Sequence, residues 1–122
     1  MVHPDFIILF VDNPLKSADF YRSLFDAEPV ERSATFALFA LPTGMRVGLW
    51  SSHTAEPPVT AAGGGAEVCF RRDDAADVDR IYADWTKRGL RVLQTPVHMD
   101  FGYTFVVTDL DGHRLRVYSM SE

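Results

Sequence analysis

Gly44–Ser51 (GMRVGLWS) and Gly112–Ser119 (GHRLRVYS) read as one piece of structure written twice, each a turn glycine followed by an alternating strand. Working outward, Asp5–Asp12 (DFIILFVD) matches Glu67–Asp74 (EVCFRRDD). Each is a strand-length run that ends in an acid and enters an amphipathic helix. Two copies of one βαβββ unit follow: a first module over 1–51, a linker over 52–65 and a second module over 66–122. The fold class is α+β.

At 122 residues the chain is one domain by length, large enough for a core but small enough that each half is marginal alone. A 47% hydrophobic content and a formal charge of -5 describe a globular protein without the basic stripe that phosphate backbones need, so nucleic acid is not an expected partner. No N-terminal signal pattern and no apolar run of membrane-spanning length is present, and the reading is a cytoplasmic protein without a membrane partner. The one cysteine, Cys69, excludes an internal disulfide and is read as apolar filler in a strand rather than as a nucleophile.

The first strand is expected over 5–11, buried on both faces. Asn13 caps a helix with Pro14 at its first position, and Leu15, Ala18, Tyr21, Leu24 and Phe25 recur at helical spacing. Strands follow near 29–33, 35–41 and 45–51. In the second module a strand over 66–72 leads to a helix over about 74–88, with Val78, Ile81, Tyr82 and Trp85 as its apolar stripe and Gly89 as its stop. Strands near 91–95, 102–108 and 113–120 complete the unit. The triple glycine Gly63–Gly65 leads into a strand and lacks a following Lys-Ser/Thr, so it reads as linker and not as a phosphate loop.

Alternation assigns the faces. Val47 and Leu49, with Leu115 and Val117, are expected under the helices together with Phe6, Ile8, Val68 and Phe70. The opposite face then carries Asp5, Arg46, Gly48, Trp50, Glu67, Cys69, Arg114, Arg116 and Tyr118. Mixed charge and aromatics on such a face suggest a pocket, the alternative being an open sheet end or a subunit contact.

The paired units, FVDNPLKSADFYRSLF (Phe10–Phe25) and DLDGHRLRVYS (Asp109–Ser119) resemble the vicinal-oxygen-chelate superfamily of glyoxalases, extradiol dioxygenases and bleomycin-resistance proteins. GLWS (Gly48–Ser51), the glycine-rich linker and MDFGYTFVVTDLDGHRLRV (Met99–Val117) resemble the branch with phenazine-antibiotic resistance proteins. The resemblance implies a curved mixed sheet and a homodimer with two equivalent sites.

It also implies where a metal would be held in the metal-dependent members: four His or Glu side chains, one each from the first and last strand of each unit. Carried over residue by residue, these positions fall on Asp5, Gly48, Glu67 and Arg116. Glycine has no ligand atom and a guanidinium repels a dication, so no metal and no cofactor are expected. His3, His53, His98 and His113 fall at strand ends, turns or the linker, and His98 with Asp100 is read as a solvated turn pair.

Binding is therefore the leading expectation. Trp50 beside Gly48 suggests a slot for a flat ring, and Phe39, Phe101, Tyr103 and Phe105 are candidate lining residues, some of them core, with Met99 at the entrance turn and Tyr118 on the same face. Arg116 either closes an internal charge cluster with Asp5 and Glu67 or takes a ligand carboxylate or carbonyl. A fused-ring ligand of about 20 heavy atoms at roughly 0.3 kcal/mol per atom binds at tens of micromolar, and stacking carries it toward micromolar. The expected function is sequestration of a planar aromatic antibiotic. Its rivals are a metal-dependent lyase or dioxygenase with an unusual ligand set, a metal-independent catalyst with Glu67 as base, and a scaffold for protein interaction.

Overall fold

A computed structural model describes residues 1–120, so positions 121 and 122 of the second module lie outside the described residues. The chain forms two compact units, Met1–Gly63 and the remainder from Gly64. Each is a mixed four-stranded sheet with one helix.

The first unit runs β1 (Phe6–Val11), α1 (Pro14–Phe25), β2 (Glu31–Arg32), β3 (Phe36–Ala40) and β4 (Arg46–Ser51), in the spatial order β1-β4-β3-β2 with β1 parallel to β4. The Asn13 side chain caps α1 by accepting from the Lys16 N–H at 3.2 Å, and Asp26, at φ 51°, turns the chain out of the helix. Ile7, Leu9 and Val11 are level with Val47, Leu49 and Ser51. This row, with Ala37 and Phe39, lies under α1, where Tyr21 is buried and Phe25 meets Phe39 edge-on at 5.3 Å.

That register corrects the expected faces of β1. Phe6 and Ile8 do not pack under the helix; they lie on the sheet's other side and are 38% and 40% exposed. A shift of one residue exchanges the two faces of a strand, and FIILFV is apolar at every position, so its composition cannot show which parity faces the core.

The second unit runs β5 (Glu67–Arg71), α2 (Ala75–Lys87), β6 (Arg91–Met99), β7 (Gly102–Thr108) and β8 (Arg114–Ser119), ordered β5-β8-β7-β6. Asp74 caps α2 through the Asp77 N–H at 2.8 Å, and Gly89 leaves it at φ 87°. Val68 and Phe70 face α2 with Leu115 and Val117, and Trp85 meets Phe70 and Phe105 edge-on at 5.5 and 5.8 Å.

β6 is longer than expected. It continues through Pro96 to Met99, with register shifts between Val92 and Val97. An edge strand tolerates a residue without an N–H, and β6 is the edge. Met99 is therefore a strand residue paired with Gly102, which leaves Asp100 and Phe101 as a two-residue turn. Gly102 has φ 144°, and a Cβ there would lie 2.0 Å from the Ser119 carbonyl oxygen, so only glycine fits. Among the described residues no helix is long and apolar enough to cross a membrane.

Candidate functional site: the open faces of the two sheets

In each unit the helix covers one face of the sheet, and the chemistry lies on the other. On the first sheet this face carries Phe6, Ile8 and Phe10 from β1, Phe36 and Leu38 from β3, and Arg46, Gly48 and Trp50 from β4. Trp50 is half-buried, with the Phe10 ring tilted beside it at 6.1 Å and the Phe36 ring edge-on at 6.4 Å. The Arg46 guanidinium lies over the Phe6 ring, 5.6 Å from its centroid.

Three expectations for this face change. Gly48 does not leave a free slot beside the indole: a Cβ there would lie 2.9 Å from the Phe6 Cε1 and 3.0 Å from the Phe36 Cζ, so those rings already fill the space. Asp5 precedes β1 on the parity of the helix-facing row, and its carbonyl accepts from the Arg46 N–H at 2.8 Å. It lines an open cavity of about 550 Å³ with Pro4, Phe6, Ile7, Thr43, Gly44 and Met45 at the strand end. Phe39 is fully buried against α1 and touches no solvent, so it is core and not lining. The rings that do form the face are Phe6, which one residue of slip on β1 assigns to the helix side, and Phe36, which on β3 has the opposite parity to the expected Phe39.

The second sheet's open face is polar. Glu67, Cys69 and Arg71 from β5 stand level with Arg114, Arg116 and Tyr118 from β8. Arg116 donates from Nε to Glu67 Oε1 at 2.8 Å and from Nη2 to Glu67 Oε2 at 3.1 Å, a two-point pairing of fork and carboxylate. Its Nη1 donates to Gln94 Oε1 and Thr104 Oγ1, each at 3.2 Å, and the Phe101 ring lies 5.7 Å from the guanidinium carbon. Four of its five N–H bonds are thereby used.

Arg114 reaches the same carboxylate, Nη2 to Glu67 Oε2 at 2.6 Å. The hydrogen bond from Arg116, above all, holds the Glu67 pKa below its ordinary value against the opposing pull of burial.

Phe101 is 43% exposed and meets Tyr118 edge-on at 6.1 Å. Met99 is exposed, its sulfur 3.6 Å from Gln94 Nε2. Tyr103 is a correction: it has the parity of Phe105, faces α2, and donates its hydroxyl to Asp79 at 2.6 Å, which raises the phenol's pKa. Cys69 is another, since it is exposed on the open face and not buried filler; partial desolvation and then the Glu67 charge push its thiol pKa up. The His98 ring lies against Tyr103, centroids 4.7 Å apart.

The register also moves one of the four metal-ligand positions. Phe6 is level with Arg46 as Glu67 is with Arg114, so the counterpart of Glu67 in the first unit is Phe6 and not Asp5. The first unit then offers a phenyl ring and a glycine, neither with a donor atom. The second offers an arginine and a carboxylate whose two oxygens already accept from guanidinium groups. Among the described residues no three His, Cys, Asp or Glu side chains come together in a way that could hold a metal ion. These residues do not fit a divalent cation.

The family model for the glyoxalase/bleomycin resistance protein/dioxygenase superfamily matches residues 3–117. The phenazine antibiotic resistance protein EhpR of Enterobacter agglomerans is 31% identical over 119 residues, which covers 95% of this chain and 91% of that protein. A solution structure of an Agrobacterium tumefaciens protein is 53% identical with a TM-score of 0.90, covering 98% of each chain. A glyoxalase-related enzyme from Fulvimarina pelagi shares the fold at 19% identity, with a TM-score of 0.85 over 98% of this chain and 88% of that one. Duplicated units, their sheet order and these matches agree: the chain belongs to the glyoxalase/bleomycin resistance protein/dioxygenase superfamily.

Proposed function

We propose that the chain is a metal-independent binding protein that takes up a planar aromatic antibiotic of the phenazine kind and confers resistance by sequestering it. The observation that carries this reading is the content of the positions where metal-dependent relatives place ligands: Phe6, Gly48, an arginine-paired Glu67 and Arg116. A donor set of this kind does not suit a dication, the source of Lewis-acid chemistry in the superfamily's metal-dependent enzymes. Glu67 is a poor general base as well, because its pKa is lowered and both oxygens are engaged.

An aromatic surface suits a flat ligand instead. Trp50, flanked by Phe10 and Phe36, provides the stacking platform, and the similarity to EhpR supports an antibiotic as the ligand class. Arg116, largely committed to Glu67, Gln94 and Thr104, holds the polar face together and orients Phe101. The protein acts as a cytoplasmic homodimer with two equivalent sites.

Tryptophan-fluorescence titration with phenazine, quinoxaline and quinone compounds tests the reading. Quenching by at least one planar compound at micromolar to tens of micromolar affinity is expected, weakened tenfold or more by Trp50→Ala. Affinities unchanged by that substitution would place the ligand elsewhere.

A further inference from the structure

The cavity at the start of β1 is lined by the first unit alone, and its chemistry is one-sided. Pro4, Phe6, Ile7 and Met45 supply apolar wall, and Asp5 supplies the one charge. At about 550 Å³ it falls within the roughly 300–1,000 Å³ of small-molecule sites, which set a few polar groups in a mainly apolar lining.

Asp5 is held there through its backbone, the carbonyl oxygen accepting from the Arg46 N–H at 2.8 Å where β1 meets β4. Its carboxylate is exposed and has no described partner. The Arg46 guanidinium lies over the Phe6 ring instead, and no Lys, Arg or His lines the cavity. Thr43 adds an acceptor, since its Oγ1 takes the Met45 N–H at 3.3 Å and keeps a second lone pair.

An anion in this cavity would face the Asp5 charge with no cation to offset it, and a neutral molecule would leave that charge unused. An exposed carboxylate by itself holds a simple ammonium ion only weakly in water. An apolar body attached to the ammonium adds burial against Ile7 and Met45.

We propose that this cavity is a ligand site for a small organic cation, a primary ammonium group carried on an apolar ring or chain, whose N–H groups donate to the Asp5 carboxylate. The site stands whatever ligand the Trp50 face takes.

Benzylammonium is the probe, with benzyl alcohol as its uncharged counterpart and benzoate as its charge-reversed one, in about 0.15 M salt so that bare surface ion pairs are screened. In ¹H–¹⁵N spectra of the whole chain, benzylammonium is expected to shift the Ile7, Gly44 and Met45 amide signals saturably and to bind at least tenfold tighter than benzyl alcohol, while benzoate leaves those signals in place. Asp5→Asn reduces the preference for the ammonium to twofold or less, with unchanged amide signals elsewhere in the first unit showing that the variant is folded. Met45→Ala keeps the carboxylate and weakens benzylammonium severalfold. Equal binding of the ammonium and the alcohol, a preference that survives Asp5→Asn, or an affinity unchanged in Met45→Ala overturns the proposal. So do shifts that never saturate and appear equally beside Glu56 and Asp100, exposed carboxylates away from the cavity.

Discussion

At Glu67 two guanidiniums meet one carboxylate, and this gives the residue a definite pH signature. Its folded pKa lies below the ordinary 4.5, so the stability it contributes is complete above that value and is lost as pH falls through the folded pKa. Glu67→Gln is expected to cost roughly 1–2 kcal/mol at pH 7 in urea denaturation, with the difference from wild type closing below pH ~4.5. A difference independent of pH would mean that the ion pairs contribute nothing. Tyr103 is the contrasting case. Tyr103→Phe removes a hydrogen bond to Asp79 on the helix side, so it is expected to lower stability by about 1 kcal/mol and leave ligand affinity untouched. At Gly48 an added methyl pushes against the tips of Phe6 and Phe36, both able to give. Gly48→Ala is therefore expected to cost little stability, about 1 kcal/mol, but to weaken ligand binding severalfold by tilting the rings.

Among the elements, those with a turn glycine and strict alternation were legible in the sequence, and those without were not. Gly112 at φ 84° and Gly44 at φ 92° anchor β8 and β4, so the faces of Arg114, Arg116, Gly48 and Trp50 follow from counting. The helix cap Asn13 was readable because a short polar side chain followed by proline and helical spacing has one economical interpretation, whereas Asp74, read as the first residue of its helix, is the cap just before it.

β1 and β7 lack such a signal. FIILFV and YTFVVT present apolar side chains on both faces, so Phe6 and Ile8 were assigned to the core and Tyr103 to the pocket when each belongs on the other side. Matching Asp5 to Glu67 by their charge reinforced the error by one residue. The length of β6 was hidden by Pro96, whose place on an edge strand only the sheet order reveals. Gly102 gives the sharpest test at this scale. Gly102→Ala forces a methyl into the Ser119 carbonyl and is expected to destabilise the second unit by more than 3 kcal/mol, or to prevent its folding, in thermal denaturation.

For the molecule as a whole, duplication produced two sheets of one topology and divergence gave them different open faces. The first is aromatic, with Phe6, Phe36 and Trp50; the second is cationic, with Arg114 and Arg116 around a single carboxylate. Superfamily membership follows from the shared topology, but chemistry follows from the faces, and among the described residues these faces carry rings and guanidiniums around a single carboxylate rather than a cluster of three or more metal-donor side chains. Isothermal titration of phenazine-1-carboxylate into protein stripped of metal and assayed for residual zinc, iron, nickel and manganese tests this most directly. The account predicts micromolar to tens-of-micromolar binding that is the same before and after chelation. Binding that disappears with chelation and returns with one equivalent of a divalent ion would contradict it.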